Sequence, residues 1–158
     1  LGLTQQAWDR LILLDAADKR RIKIKDNEVV ETIQRMPIFQ KNNLFDAKVY
    51  DYVLRYILRI PARGFEEDLR ESLKISKLYE EVTAEINVND EELETAYKKE
   101  KELAEMDKEE SAKERQDFKD KLLTRKKEEA FMKFMQELQT KAKLTSYISQ
   151  DYNPNLYR

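Results

Sequence analysis

Ala130-Phe131-Met132-Lys133-Phe134-Met135-Gln136-Glu137-Leu138 is the densest apolar patch in the chain, and its reading decides the fold. Phe131, Phe134, Met135, Leu138 and Ala142 recur at steps of three and four, so they share one helical face. Phe118 and Leu122 carry the stripe two to three turns further back. The spacing predicts one long helix over Asp107–Lys143. Propensity alone does not hold such a helix in water; it must lay its apolar face on a partner. That partner must come from the first half of the chain.

Working outward, Thr4 caps a first helix running to about Arg21, with Trp8, Leu11, Ile12 and Ala16 as its stripe. Trp8 reads as a core anchor. Ile22–Lys25 is an extended connector. Asp26 caps a second helix, which Pro37 stops by forcing Met36 out of the helical region. Ile38 to Phe45 reads as a loop, in which Phe39 and Phe45 either tuck into the core or serve as a contact site. Asp46 caps a third helix over Ala47–Leu58, whose core face is Tyr50, Val53, Leu54, Ile57 and Leu58. Ile60-Pro61 breaks it, and a fourth helix follows over Ala62–Ala84. Gly64 near its start costs about 1 kcal/mol relative to Ala; close packing against another backbone would explain it. Glu85–Val88 is a second connector, after which Asn89 caps a fifth helix holding Leu93, Ala96 and Tyr97.

The expected architecture is therefore all-α, about six helices in a single domain, with the long C-terminal helix closing the core. Residues 1–97 form the N-terminal helical part. Residues 98–114 are a charged linker or helix hairpin, 115–144 the closing helix, and 145–158 a tail carrying Tyr147, Tyr152 and Tyr157.

Composition narrows the chemistry. Charged residues make up 39% of the 158, well above the usual share of roughly 25%. The 30 basic and 32 acidic residues nearly cancel, which argues against a nucleic-acid binder. There is no Cys, hence no disulfide, thiolate nucleophile or Cys-held zinc, and no His, hence no common general base or metal ligand. No cofactor or metal is expected. Carboxylates such as Asp15, Asp18, Asp46 and Asp51 read as caps and solvated faces rather than acid–base pairs. The longest strictly apolar run is Leu11-Ile12-Leu13-Leu14, too short to span a membrane.

The ordered segments Ile24-Lys25-Asp26, Pro37 with Phe39, Phe45-Asp46, Gly64-Phe65-Glu66-Glu67-Asp68-Leu69 and Val88-Asn89-Asp90-Glu91-Glu92-Leu93 resemble the chaperone domain of the SurA/PpiD/PrsA group of bacterial envelope folding factors. Residues 4–99 are similar to that domain's N-terminal part and residues 115–144 to its closing helix. In that group a parvulin prolyl-isomerase module usually separates the two. Here the charged stretch 98–114 stands in its place and is too short to hold one, and the histidines of parvulin sites are missing.

The resemblance implies a non-catalytic chaperone that binds unfolded or nascent envelope proteins, in the periplasm or cell envelope. An anchor outside this sequence and a homodimer formed by exchange of the closing helix both stay open. Met and aromatic side chains suit promiscuous binding. The candidates for client contact are Met36, Ile38, Phe39, Phe45, Tyr50, Tyr56, Phe131, Met132 and Met135. Tyr56 and Met132 lie off the main stripes and are the expected exposed pair; Phe131 and Met135 are expected mainly in the core. A groove beside the closing helix is the other expected contact surface. The alternative is a helical scaffold binding one defined partner, which the lack of sustained heptads disfavours.

Overall fold

In the computed structural model, the described residues are 2–104 and 112–142. They form α1 (Gly2–Lys19), α2 (Asp26–Arg35), α3 (Ala47–Tyr52), α4 (Ala62–Val82), α5 (Asp90–Ala104) and α6 (Ala112–Lys141). A 3-10 turn (Pro37–Phe39) and a two-stranded ladder of β1 (Gln40–Lys41) and β2 (Leu44–Phe45) join α2 to α3, and a π-helical turn (Val53–Leu58) continues α3. The expected start of the last helix at Asp107 and the Tyr-rich tail lie outside the described residues.

Three apolar clusters follow one another. In the first, Val29 and Ile33 of α2 meet Phe39, Val53 and Leu54, with Phe65, Leu69 and Leu73 of α4 packed around them. Phe39 is its centre: the ring meets Tyr50 edge-on at 5.0 Å and Phe65 at 5.4 Å. In the second, Ala16 and Ala17 of α1 and Leu78 of α4 are covered by Phe131, Phe134 and Leu138 of α6. Two small residues in succession let three helices converge there. The Arg20 guanidinium sits 5.2 Å over the Phe134 ring, a cation–π contact. In the third, Val88, Leu93 and Leu122 are buried, with Phe118 and Ala96 beside them, so α5 and α6 pair as an antiparallel hairpin. Thus α4 serves the first two clusters and α6 the last two.

Several local signals behave as read. The Asp46 carboxylate accepts from the backbone N–H of Lys48 and Val49, and these bonds hold its pKa below the usual range. Asn89 and Glu92 form a reciprocal capping box, at 2.8 and 3.3 Å. Elsewhere the structure corrects the reading. α1 begins at Gly2, before Thr4, and ends at Lys19; just beyond it Arg21 takes a left-handed conformation (φ 61°) while the Ile22 N–H bonds the Ala17 carbonyl. Lys25, not Asp26, is the N-cap of α2; the Glu28 carboxylate accepts from its N–H, and Asp26 pairs with Arg70 of α4 at 2.9 Å.

The segment read as a loop is a tight hairpin. Asn42 and Asn43 both have positive φ (54° and 61°), the type I′ requirement, and Asn tolerates it better than most residues. Gln40 faces Phe45 across the ladder, and Lys41 faces Leu44.

The third helix departs from α geometry after Tyr52. A turn closed by i→i+5 bonds holds an extra residue, so the i, i+3, i+4 spacing no longer returns Ile57 and Leu58 to the face of Val53 and Leu54. Val53 and Leu54 are buried, whereas Ile57 and Leu58 are 57% and 41% exposed. Arg59 ends the turn in the left-handed region (φ 57°), ahead of Pro61. Gly64 has helical geometry. A Cβ there would meet only the Pro61 ring, at 3.4 Å, so no close backbone contact calls for glycine.

Candidate functional site

The face of α1 that reads as a core stripe is split. Leu13, Ala16 and Ala17 turn into the second cluster, while Trp8, Leu11 and Ile12 line an open groove against the end of α6. Leu138 and Ala142 form the opposite wall, and Asp15, Lys19 and Lys141 stand at the rim. The groove holds about 400 Å³, within the roughly 300–1,000 Å³ of small-molecule pockets, and it is open to solvent rather than an enclosed cavity. The Gln139 amide donates to Asp9 at 2.9 Å and fixes the two helices relative to each other. Lys19 is held by Asp15 at 2.6 Å, which leaves the floor apolar. Such a groove offers area without directional hydrogen bonds. It can take an apolar side chain of another polypeptide with little regard to sequence. Trp8 was expected in the core; half-buried, it forms a wall of this groove instead, and Leu11 is 58% exposed.

The nine candidate contact residues separate by burial. Phe39 is 1% exposed and is a core residue, because the 3-10 turn carries its ring between Tyr50 and Phe65. Met36, Phe45 and Tyr50 are half-buried against that same cluster. Phe131 lies against Tyr79 at 5.1 Å in the second cluster, and Met135 is half-buried. Ile38, Tyr56 and Met132 are exposed, at 51%, 66% and 60%. None of the nine lines the groove beside α6. Its residues come from two helices far apart in sequence, and the signal available was that α1 carries more apolar residues (Trp8, Leu11, Ile12, Leu13, Leu14) than one face can bury.

A second cleft, about 670 Å³ between α5 and α6, is lined mainly by charged and polar residues, with Ala96 and Leu122 among them. Lys126 there donates to both oxygens of Glu92 and to the Asn87 carbonyl. The bond from Lys126, together with the Asn89 N–H, holds the Glu92 pKa below its ordinary value. Charges already paired in this way are poor acid–base groups. Tyr50 is no better placed: burial, and then its hydrogen bond to Glu66 at 3.1 Å, push its pKa up to about 12, so it stays protonated. No set of three acidic side chains converges to hold a metal among the described residues, and no described helix is long and apolar enough to cross a membrane.

Residues 2–79 match the family model of the SurA-like N-terminal domain. The match runs from α1 to nearly the end of α4; it takes in the first cluster and the α1 and α4 parts of the second, and stops before α5 and α6. Neither the curated proteins nor the solved structures gave a match.

Proposed function

From the SurA-like N-terminal domain that the chain carries over residues 2–79, we propose that this protein is a non-catalytic chaperone of the cell envelope that holds unfolded or partly folded polypeptides. The observation that carries the reading is the apolar groove between α1 and α6, open on a body in which 39% of residues are charged. The charge keeps the body soluble while apolar surface stays on offer. A client side chain entering between Trp8, Leu11 and Leu138 gains burial worth roughly 1.5–3 kcal/mol. That is weak enough for release and needs no chemical step.

The test is suppression of aggregation of several unrelated unfolded clients. Wild-type protein in several-fold excess suppresses it, and Leu11→Asp, at an exposed groove position, weakens the effect while the helical signal is unchanged. No suppression of any client by the wild type would sink the proposal. Suppression of one client alone would favour a scaffold with a single partner. A short proline peptide shows no isomerisation above background.

A further inference from the structure

Half of the large exposed apolar side chains of the described residues lie in one short stretch. Tyr52, Tyr56, Ile57, Leu58 and Ile60 are all more than a third exposed, five of ten such residues. Scattered single exposures are ordinary, but this concentration is not. The Tyr52 and Tyr56 rings stand 5.3 Å apart, one helical turn from each other. The stretch is also basic. Between Ala47 and Arg63 the charged residues are Lys48, Arg55, Arg59 and Arg63 against Asp51 alone, in a chain whose net charge is −2. Asp51 is paired with Arg55 at 2.7 Å, while Arg59 and Arg63 have no ion pair among the described residues. Both clefts described above are lined by other residues.

We infer that the π turn and its flanks, Tyr52 to Arg63, dock onto an anionic lipid surface. The chemistry fits term by term. Ile57, Leu58 and Ile60 enter the acyl boundary, and Tyr rings, apolar with a polar tip, sit at headgroup level. Arg59 and Arg63, without an ion pair among the described residues, meet lipid phosphates. A membrane supplies negative charge and apolar depth in parallel and needs no complementary shape, which suits an exposed turn with both apolar and basic side chains. The contact is peripheral, since no described helix spans a bilayer.

Co-sedimentation of the full chain with lipid vesicles tests this. The protein binds phosphatidylcholine vesicles containing about 30% phosphatidylglycerol and not phosphatidylcholine alone, and salt at about 0.5 M releases it. Arg59→Glu with Arg63→Glu lowers binding roughly tenfold or more, and Arg59→Lys with Arg63→Lys retains it. Tyr56→Ser with Ile57→Ser, both exposed, also weakens binding, with the helical signal confirming the fold. Absence of binding to anionic vesicles overturns the inference. So does binding that neither pair of substitutions changes. A self-association that the same substitutions abolish, without any vesicle binding, would assign the surface to a second copy. Retention on an acidic polypeptide but not on vesicles would assign it to a protein.

Discussion

The two ends of the molecule are built on different principles. At the first cluster, aromatic rings from three elements interlock: Phe39, Tyr50 and Phe65 meet edge-on, around buried Val53 and Leu54. At the third, Val88, Leu93 and Leu122 alone are buried among the described residues, Tyr97 and Phe118 form a ring pair, and much of the contact between the helices is ionic. Lys126 binds Glu92 at 2.8 Å, Lys119 faces Asp90 at 3.9 Å, and Arg115 pairs with Glu94. Exposed pairs of this kind contribute from about zero to 1 kcal/mol each and weaken with salt. The first end is therefore a small aromatic core that leaves a patch of apolar side chains, Tyr56 and Ile57 among them, exposed on its outside. The second is a two-helix hairpin whose stability depends on where it is tethered.

That contrast can be broken most directly at Phe39. Phe39→Ala removes the ring at the centre of the first cluster and costs about 3–5 kcal/mol, read by chemical denaturation. A loss below about 1 kcal/mol would mean the aromatic interlock is not what holds that end. Leu122→Ala in the hairpin should cost about 2–3 kcal/mol, the lower part of the range for buried leucines, because fewer neighbours surround it. In hydrogen exchange its effect should stay within α5 and the first half of α6. Phe134→Asp tests the middle. It places a charge against Ala16 and Ala17 and should uncouple α6 from α1; an unchanged unfolding midpoint would show that the closing helix is not part of the core.

Titration sharpens the comparison without mutation. The Asp46, Glu28 and Glu92 pKa values are depressed: Asp46 by backbone N–H donors, Glu28 by its bond from Lys77 and then the Lys25 N–H, and Glu92 by Lys126. A group whose pKa falls on folding adds stability that is complete above its unfolded value, 3.8 for Asp and 4.5 for Glu, and that disappears as pH falls through the lower folded value. Both ends should thus lose stability below about pH 4.5. Tyr50 runs the other way. Its pKa rises from 10.0 to about 12, so stability is lost as pH climbs through that interval, at the first end. Tyr50→Phe should remove the alkaline limb. With no histidine in the chain, the melting temperature should be flat between those limbs.

The smallest effects concern backbone. Arg59→Gly relieves a left-handed non-glycine residue and should stabilise the first end by up to about 1 kcal/mol. Gly64→Ala should stabilise α4 by about 0.5–1 kcal/mol, since the added methyl meets only Pro61.

What the sequence made legible was the part that local chemistry dictates. Asp46 and Asn89 cap the helices that follow them, and Pro37 and Pro61 stand at breaks. The Phe131, Phe134 and Leu138 face meets a partner, as a long helix must. The failures share one cause. Periodicity says which residues share a face, not how much of that face a neighbour covers. Trp8 and Leu11 fall on an apolar stripe, yet α6 reaches only part of it, and the remainder is the groove. Ile57 and Leu58 continue the spacing of Val53 and Leu54, yet the wider π turn takes them off it. The Asn42-Asn43 hairpin was readable in principle, but without the glycine that usually marks such a turn.

The sharing of helices between clusters sets a timetable for a chain that emerges N-terminus first. The first cluster needs nothing beyond Leu73 and can close early. The second cannot, because Ala17 and Leu78, both 0% exposed in the finished fold, wait for Phe131, Phe134 and Leu138. Throughout that interval the nascent protein carries an uncovered apolar seam of its own, the kind of surface that invites mispairing during synthesis. A protein proposed to keep unfolded chains must itself pass through a stage in which it needs keeping.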